Sequence, residues 1–247
     1  MPYYISVLGD SISSFRGYCN NVIDNTDIYY YPNPGVPGCN VTEFYQTWMY
    51  DAIFTQLHSI ILKIDYVAGS SVVGYSGTLD GHASSKYKMN NINRINNLTN
   101  NGVSPNAIFI FGGTNDLCQK ANFNLDNFIN NYANMINLIL SNPLYANTKV
   151  LCITPFKNML TVDDDKAGTF TFNNLNNVYS WINYIANQAN QRYGNNRCFC
   201  CDLHDIHLEN GVYSDQYSHP NVAGMHVIAD RIAFVCSLCG IGDHYGN

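Results

Sequence analysis

The sequence predicts an α/β protein with a five-stranded, mostly parallel sheet and helices on both faces. Short apolar runs alternate along the chain with segments of helical apolar spacing, which is typical of βαβ units. Some runs are continuously apolar, such as Ala107–Phe111 (AIFIF), and this favours strands that are covered on both sides. Residues 1–247 contain no repeat, linker or change of composition, so we expect a single domain with a flexible tail over about 240–247.

Five apolar runs are predicted to be strands, and glycine-containing turns follow the first three of them. The predicted strands are Tyr3–Leu8, Ser59–Ala68, Ala107–Phe111, Lys149–Thr154 and Cys198–Leu203. Five other segments show the three- to four-residue apolar spacing of amphipathic helices. The predicted helices are Glu43–His58, Asn90–Asn101, Asn124–Leu140, Asn173–Arg192 and a last helix from near Asn221 to about Cys239.

Composition and charge argue against two classes of partner. The net charge is −6, the pI is about 5.5, and only 12% of residues are charged. Nucleic acid is not expected as a partner, because phosphate binding needs clustered Lys and Arg. A membrane is not expected either, because no apolar run approaches the roughly 20 residues that span a bilayer. The N-terminal MPYYISVLGDS has no charged n-region or cleavage site, so we expect a soluble chain, cytoplasmic or secreted with its signal removed.

The nine cysteines are predicted to be reduced and mostly buried, because their number is odd and the chain is too large to need a disulfide framework. A zinc site that joins Cys198, Cys200 or Cys201 to the Cys236-x-x-Cys239 pair is the alternative, although a single CxxC is a weak signal. His204, Asp205 and His207 follow a strand and are expected to have loop roles. We therefore predict no metal and no cofactor.

Polar residues fall at the ends of the predicted strands. They are Gly9-Asp10-Ser11 after the first strand, Gly69-Ser70 after the second, Gly112-Gly113-Thr114-Asn115-Asp116 after the third, and Asp215 and His219 in the connection after the fifth. Ligands bind beyond the carboxyl ends of the strands in an open α/β sheet. If the sheet is parallel, these four segments emerge on one edge and converge.

The converging residues include every group that acyl transfer requires. Ser11 supplies a hydroxyl nucleophile, His219 an imidazole base, and Asp215 a carboxylate that orients the imidazole. Donors for the oxyanion are the backbone N–H groups of Ser11 and Gly69 and the side-chain amide of Asn115. Ser70 or Gly74 is the alternative to Gly69 as the second donor.

These four blocks, in this order, resemble the signature blocks of the SGNH (GDSL) hydrolases over nearly the whole chain. The resemblance implies a three-layer, flavodoxin-like αβα fold and ester hydrolysis through an acyl-enzyme. The resemblance implies that Ser11 is the nucleophile, His219 the base and Asp215 the triad acid. It further implies that the oxyanion donors are Ser11, Gly69 and Asn115. The stretch Gly38–Trp48 with a glycine-rich second block resembles carbohydrate-esterase-like bacterial members. The implied substrate is a small-molecule or carbohydrate ester, foremost an acetyl ester.

One spacing departs from the family pattern. The acid usually stands three residues before the histidine, where this chain has Gln216, and Asp215 stands four before. Either the loop holds one extra residue and Asp215 still reaches His219, or a Ser–His dyad operates with a backbone carbonyl orienting the imidazole. We favour the first, because a carboxylate stabilises the imidazolium better.

Two other functions compete with a carbohydrate esterase. One is a lysophospholipase or thioesterase, which would need a long apolar groove. The other is a carbohydrate-binding or structural protein on an inactive hydrolase scaffold. In addition, Tyr29, Tyr30, Tyr31 and Tyr75 are a candidate sugar-stacking wall at the active edge.

Overall fold

A single five-stranded sheet forms the centre of the described part of the chain. The computed structural model describes residues 2–18, 31–32, 40–74, 87–118, 123–157, 171–194, 196–208, 212–214 and 219–242. The strands are β1 (Tyr4–Gly9), β2 (Ile60–Tyr66), β3 (Ala107–Phe111), β4 (Lys149–Ile153) and β5 (Cys198–Cys201). Their spatial order is β2-β1-β3-β4-β5, and every neighbouring pair is parallel. This order is the flavodoxin-like one, so the predicted fold class is confirmed.

Helices cover both faces of the sheet. The α-helices are α1 (Ile92–Asn96), α2 (Thr114–Leu117), α3 (Leu125–Leu140), α4 (Phe172–Tyr193) and α5 (Val222–Cys239). Three short 3₁₀ helices lie at Ser11–Ser13, Phe44–Gln46 and Pro143–Tyr145, and a π-helix lies at Tyr50–Gln56.

The strands bury side chains on both faces, which explains their continuously apolar sequences. Along β3, Phe109 and Phe111 enter a core shared with the π-helix and α5. Ile108 and Ile110 point the other way, into a core shared with α3 and α4. Successive strand residues face opposite sides of a sheet, so a run of five apolar residues supplies both cores at once.

Asparagine and threonine side chains set where the longer helices begin. Asn124 accepts a hydrogen bond from the backbone N–H of Asn127 at the start of α3, and Thr171 does the same for α4. Asn221 accepts from the N–H of Gly224 at the start of α5. Each side chain satisfies one of the N–H groups that a helix start leaves unpaired. These capping residues therefore fix where the three longer helices begin. The observed starts lie within about two residues of those predicted from the sequence.

The predicted α-helix over Glu43–His58 is wrong in its type. The structure has a 3₁₀ turn at Phe44–Gln46 and a π-helix at Tyr50–Gln56, in which the N–H of Leu57 donates to the carbonyl of Ala52. The buried residues Trp48 and Ile53 are five positions apart. Hydrogen bonds between residues i and i+5 define the π-helix and widen its turn relative to the predicted α-helix.

Two more predicted features differ in the structure. The predicted helix Asn90–Asn101 shortens to α1 (Ile92–Asn96), because Asn100 pairs with Val103 in an isolated bridge around a turn. Ile241 is fully buried in the core, within the segment that was expected to be a tail, and its N–H donates to the carbonyl of Cys236.

The sheet separates two of the three candidate cysteines, Cys198 and Cys200, from the Cys236-x-x-Cys239 pair of the zinc alternative, but it does not separate Cys201 from that pair. Cys198 and Cys200 pack on the face that carries α3 and α4, whereas Cys236 and Cys239 pack on the opposite face. Cys201 shares the face of Cys236, and burial raises the pKa of both thiols. All seven cysteines in the described part are free thiols: Cys118, Cys152, Cys198, Cys200, Cys201, Cys236 and Cys239.

Among the described helices, α5 is the one whose length and composition can be compared with those of a membrane span. By length and composition alone, its 18 residues pass for a membrane-crossing helix, with a mean hydropathy of 1.6. The inner face of α5, including Met225, Ile228 and Ile232, is buried in the core. Core helices of that kind meet the same criterion, so α5 is weak evidence for a membrane span.

Candidate active site

The carboxyl ends of β1, β2 and β3 bring the predicted site residues to one edge of the sheet. β1 lies between β2 and β3, so the turn that carries Ser11 is flanked by the connections that carry Gly69 and Asn115. This is the point where the strand order reverses, and the diverging connections leave a crevice there in doubly wound sheets. Residues about 60 and 100 positions apart in sequence therefore meet through topology.

Ser11 is the first residue of the 3₁₀ turn that follows β1. Asp10 caps this turn, because its Oδ1 accepts from the N–H of Ile12 at 2.9 Å. The carbonyl of Ser11 accepts from the N–H and the hydroxyl of Ser14, at 3.2 and 2.6 Å. The side chain of Ser11 is left mostly buried, at 7% exposed, on a turn that is fixed at both ends.

His219 lies against Ser11, with its Nε2 2.9 Å from the serine Oγ. The imidazole is half-buried, and His219 stands three residues before the first residue of α5. For Nε2 to accept the hydroxyl proton, the ring must carry its own hydrogen on Nδ1. This distance and this tautomer are those of a serine hydroxyl activated by a general base.

Contacts between residues 212–214 and residues 220–221, here called the clip, hold the segment around His219. Ser214 pairs with Pro220 in an antiparallel bridge, and the N–H of Asn221 donates to the carbonyl of Tyr213 at 2.9 Å. Asn221 Nδ2 also donates to the carbonyl of Val212 at 2.8 Å. The clip places Ser214 beside the residue that follows His219. Residues 215–218 lie outside the described residues, and so does the predicted acid, Asp215.

Tyr31 connects the serine turn to the histidine segment. Its carbonyl accepts from the N–H of Arg16 at 2.7 Å, and its hydroxyl donates to the carbonyl of Pro220 at 2.7 Å. The ring packs edge-on against His219, with centroids 6.3 Å apart.

Tyr31 is fully buried, so its part in the predicted sugar-stacking wall is wrong. Tyr29, Tyr30 and Tyr75 lie outside the described residues. Sequence reasoning missed this supporting role, because it depends on contacts between distant segments.

Asn115 is placed beside the serine turn, at the start of α2. Its Nδ2 donates to the carbonyl of Ser70 at 2.9 Å and to Oδ2 of Asp10 at 3.3 Å. Both hydrogens of the amide therefore have protein acceptors, one from the second block and one from the first. The side chain is half-buried, and it joins all three connections at the crevice.

Gly69 stands in the turn that follows β2 and has a φ of +73°. This left-handed conformation favours glycine. The next residue, Ser70, is fully buried and donates from its hydroxyl to the carbonyl of Gly9 at 3.2 Å. The turn of Gly69 is thus tied to the end of β1 as well as to Asn115.

Two buried carboxyls lie under this site, and sequence reasoning assigned neither of them its role. Burial raises the pKa of Asp10 to about 7; the hydrogen bond from Ile12 opposes this rise, and the nearby Asp116 contributes to it. Burial also raises the pKa of Asp116 to about 6. The Asp116 carboxyl accepts from the N–H groups of Val72 and Val73, at 2.8 and 3.0 Å. Asp116 therefore links the segment after β2 to the segment after β3.

Arg94 completes the polar network from the side of α1. Its Nε donates to Oδ1 of Asp65 at 2.7 Å, and its Nη2 donates to the carbonyl of Gly9 at 3.0 Å. Both side chains of the ion pair are buried. Arg94 therefore holds the ends of β1 and β2 together directly before the turns of Ser11 and Gly69.

A small polar cluster lies beyond β5, at the far end of the same edge. Within the described ranges, Asp202, His204 and Asp205 make up the one group of ligand-type side chains close enough to share a metal ion. His204 Nδ1 lies 2.6 Å from Asp202, and Asp205 pairs with Arg231 at 3.1 Å. Each of the three side chains therefore already has a partner within the protein.

A family model described as GDSL-like lipase/acylhydrolase matches residues 3–236. The chain belongs to this family. It is accordingly a carboxylic-ester hydrolase, which confirms the prediction from the four sequence blocks. Among curated proteins, no match to the chain was found.

Three solved structures of bacterial proteins share this fold over almost the whole chain. A Bacteroides ovatus protein assigned as a GDSL-like lipase has a TM-score of 0.65 and 21% identity, covering 96% of this chain and 99% of its own. A family two carbohydrate esterase of Clostridium thermocellum, solved with cellohexaose, has a TM-score of 0.64 and 16% identity, covering 97% of this chain and 66% of its own. A member of the lipolytic G-D-S-L family from Veillonella parvula has a TM-score of 0.57 and 17% identity, covering 95% and 98%.

Proposed function

We propose that this GDSL hydrolase removes small acyl groups, foremost acetyl, from carbohydrate esters through an acyl-enzyme on Ser11. The observation that carries the proposal is the 2.9 Å contact between Ser11 Oγ and His219 Nε2. These are the two groups that a serine hydrolase must bring together, and they come from opposite ends of the chain.

In the first half of the reaction, His219 takes the proton of Ser11 as Oγ attacks the ester carbonyl. The carbonyl oxygen becomes an oxyanion, and the tetrahedral intermediate collapses when His219 returns the proton to the leaving alcohol. In the second half, His219 takes a proton from water, the water oxygen attacks the acyl carbon, and the ester bond to Ser11 breaks. The carboxylic acid leaves, and Oγ regains its proton.

Three donors are assigned to the oxyanion: the N–H groups of Ser11 and Gly69, and Nδ2 of Asn115. Gly69 is favoured over its two alternatives because their N–H groups already have acceptors. The N–H of Ser70 donates to the carbonyl of Val67 at 2.9 Å, and that of Gly74 donates to Oγ of Ser71 at 2.9 Å. Preorganised donors of this kind lower the barrier by about 3–4 kcal/mol each.

Asp215 is assigned as the triad acid. The bridge between Ser214 and Pro220 supports this assignment, because the chain enters residue 215 beside the segment that holds His219. A carboxylate on Nδ1 would fix the tautomer that the Ser11 contact requires. The alternative remains a Ser–His dyad with a carbonyl acceptor.

An aromatic cluster next to the serine turn supports a carbohydrate as the alcohol part. Tyr18 and Phe44 stack with their centroids 3.8 Å apart and their planes 8° from parallel, and Tyr18 is 48% exposed. Phe15, four residues after Ser11, packs edge-on against both rings. Exposed aromatic faces suit the apolar faces of sugar rings, and the Clostridium thermocellum neighbour was solved with a bound oligosaccharide.

A panel of substrates tests the proposal. Wild-type protein and Ser11→Ala would be assayed on p-nitrophenyl esters of increasing acyl length and on acetylated sugars, with folding followed by circular dichroism. We expect release of acetate from at least one acetylated sugar, a steep fall in rate beyond short acyl chains, and no turnover by a folded Ser11→Ala. Turnover retained in Ser11→Ala would remove the nucleophile assignment.

The same panel separates the competing functions. Rates that rise with acyl length would indicate a lysophospholipase or thioesterase. A folded wild-type protein that neither turns over esters nor reacts with a fluorophosphonate probe would indicate an inactive scaffold.

A further inference from the structure

The carboxyl of Asp10 reaches the side chain of Asn115 across the crevice. We propose that Asp10 is a positioning residue for ester hydrolysis, which holds the Asn115 amide in the orientation that donates to the oxyanion. The inference rests on the proposed function and extends it to a residue whose first structural role is to cap the turn of Ser11.

Each oxygen of the Asp10 carboxyl has a different partner. Oδ1 accepts from the N–H of Ile12, which is ordinary capping of a helical turn. Oδ2 accepts from Nδ2 of Asn115 at 3.3 Å, although 105 residues separate the two in sequence. Serine or asparagine would cap the turn equally well, so capping alone does not require the second oxygen.

The two acceptors of Asn115 together fix its amide plane. One hydrogen of Nδ2 is held at 2.9 Å by the carbonyl of Ser70, and the other is held by Asp10. With both hydrogens held by acceptors, rotation of the amide by half a turn would place its oxygen against two oxygens. Asn115 is therefore kept with its nitrogen toward the Ser11 turn, which is the orientation that an oxyanion donor needs.

The unequal lengths of the two contacts indicate which hydrogen serves the reaction. The bond to Ser70 has the usual length for an N–H···O contact, whereas the bond to Asp10 is longer and weaker. An oxyanion is a stronger acceptor and can share or take the loosely held hydrogen, while Ser70 keeps the other. Asp10 thus orients Nδ2 of Asn115 but binds its hydrogen weakly enough for the oxyanion to accept it.

Two substitutions separate positioning from capping. Asp10→Asn keeps an oxygen for Ile12 but turns an NH₂ group toward the NH₂ of Asn115, so the two donors oppose each other. Asp10→Ser keeps the cap and is too short to reach Asn115. We expect kcat on an acetyl ester to fall about 10- to 100-fold in Asp10→Asn and less in Asp10→Ser, with KM nearly unchanged in both.

A double-mutant cycle tests whether Asp10 acts through Asn115. Asn115→Ala alone should lower kcat about 100- to 1000-fold, which is the loss expected for one oxyanion donor. Asp10→Asn should then add less than about twofold in the Asn115→Ala background. The proposal is wrong if both Asp10 variants keep wild-type kcat, or if Asp10→Asn lowers kcat by the same factor in both backgrounds.

A spectroscopic measurement keeps the inference separate from the proposed function. In wild-type protein, the side-chain amide resonances of Asn115 should show two hydrogen-bonded protons, and they should shift in Asp10→Asn and Asp10→Ser. Unchanged Asn115 resonances in both variants would overturn the positioning role, even where wild-type protein is an active esterase. A wild-type protein with shifted resonances in the variants but without esterase activity would overturn the proposed function, and the catalytic role of Asp10 with it.

Discussion

Ser11 and His219 are 208 residues apart in the chain, and their side chains meet at 2.9 Å on the rim of the sheet. Ser11 is held by the turn after β1, and His219 by the clip between residues 212–214 and 220–221. Tyr31 bonds to the backbone of both segments. The geometry of this pair is thus set by backbone contacts on each side, which keeps the reacting groups in place before a substrate arrives.

Removing the imidazole of His219 should nearly abolish hydrolysis. We expect His219→Ala to lower kcat by at least about 10⁴-fold on an acetyl ester, because the variant loses the imidazole that lies 2.9 Å from the Ser11 hydroxyl and would take its proton. His226→Ala is the matched control. His226 lies on the exposed side of α5, 2.5 Å from Asp51, and its loss should leave kcat unchanged. Equal rates in the two variants would contradict the assignment of His219 as the base.

Substitution of Asp215 distinguishes the triad from the dyad. If Asp215 orients His219, Asp215→Asn should lower kcat by about 10³- to 10⁴-fold while the protein stays folded, because the amide favours the wrong tautomer. If a backbone carbonyl orients the ring, the loss should stay below about tenfold. Steady-state kinetics near pH 8, together with circular dichroism, decide between the two.

A side chain at Gly224 should displace the segment that holds His219. A Cβ added there would lie 2.0 Å from the carbonyl oxygen of Tyr213, which is itself the acceptor for the N–H of Asn221. Alanine normally stabilises a helix relative to glycine, so a decrease in the free energy of unfolding would be due to the clash with Tyr213. We expect Gly224→Ala to lower the free energy of unfolding by about 1–3 kcal/mol and to lower kcat.

The exposed neighbour Ala223 supplies the control for Gly224. Ala223→Gly changes helix propensity without a clash and should cost no more than about 1 kcal/mol, with kcat unchanged. Urea unfolding and acetyl-ester kinetics measure both quantities. A Gly224→Ala protein as stable and as active as wild type would show that the close approach to Tyr213 does not hold the segment.

Asp10 should make the protein less stable as the pH rises. Its pKa is raised from 3.8 to about 7, chiefly by burial, so the folded state binds the proton more tightly than the unfolded state. The charged groups that face it are Asp116, which raises its pKa, and Arg94, which lowers it; it also faces the Cys118 thiol, whose own pKa is about 12. The stabilising contribution is complete below about pH 4 and is lost as the pH rises through about 7.

Comparison with Asp10→Asn isolates this pH effect. Between pH 4 and pH 8, the free energy of unfolding of wild type should fall relative to that of the variant by up to about 4 kcal/mol. Urea unfolding at several pH values measures the difference. Parallel curves for the two proteins would show that Asp10 titrates normally in the folded state.

The sequence by itself determined the order of strands and helices, and it predicted most of the residues of the proposed site. Alternation of apolar runs with amphipathic segments is a local property, so the five strands were placed within about two residues of their observed ends. Because parallel strands expose their carboxyl ends on one edge, the positions of Ser11 and Asn115 at such ends, and of His219 in the connection after β5, were enough to predict that they converge.

Only the tertiary structure decided how these residues are held. The contacts of Asp10 and Asp116, the clamp of Arg94 on Gly9 and the bridge formed by Tyr31 all join segments far apart in sequence. Such contacts leave no periodic or local pattern, because they depend on which strands are neighbours. The π-helix at Tyr50–Gln56 was likewise not predicted from the sequence, since its apolar residues Ala52 and Ile53 enter the same core that an α-helix there would fill.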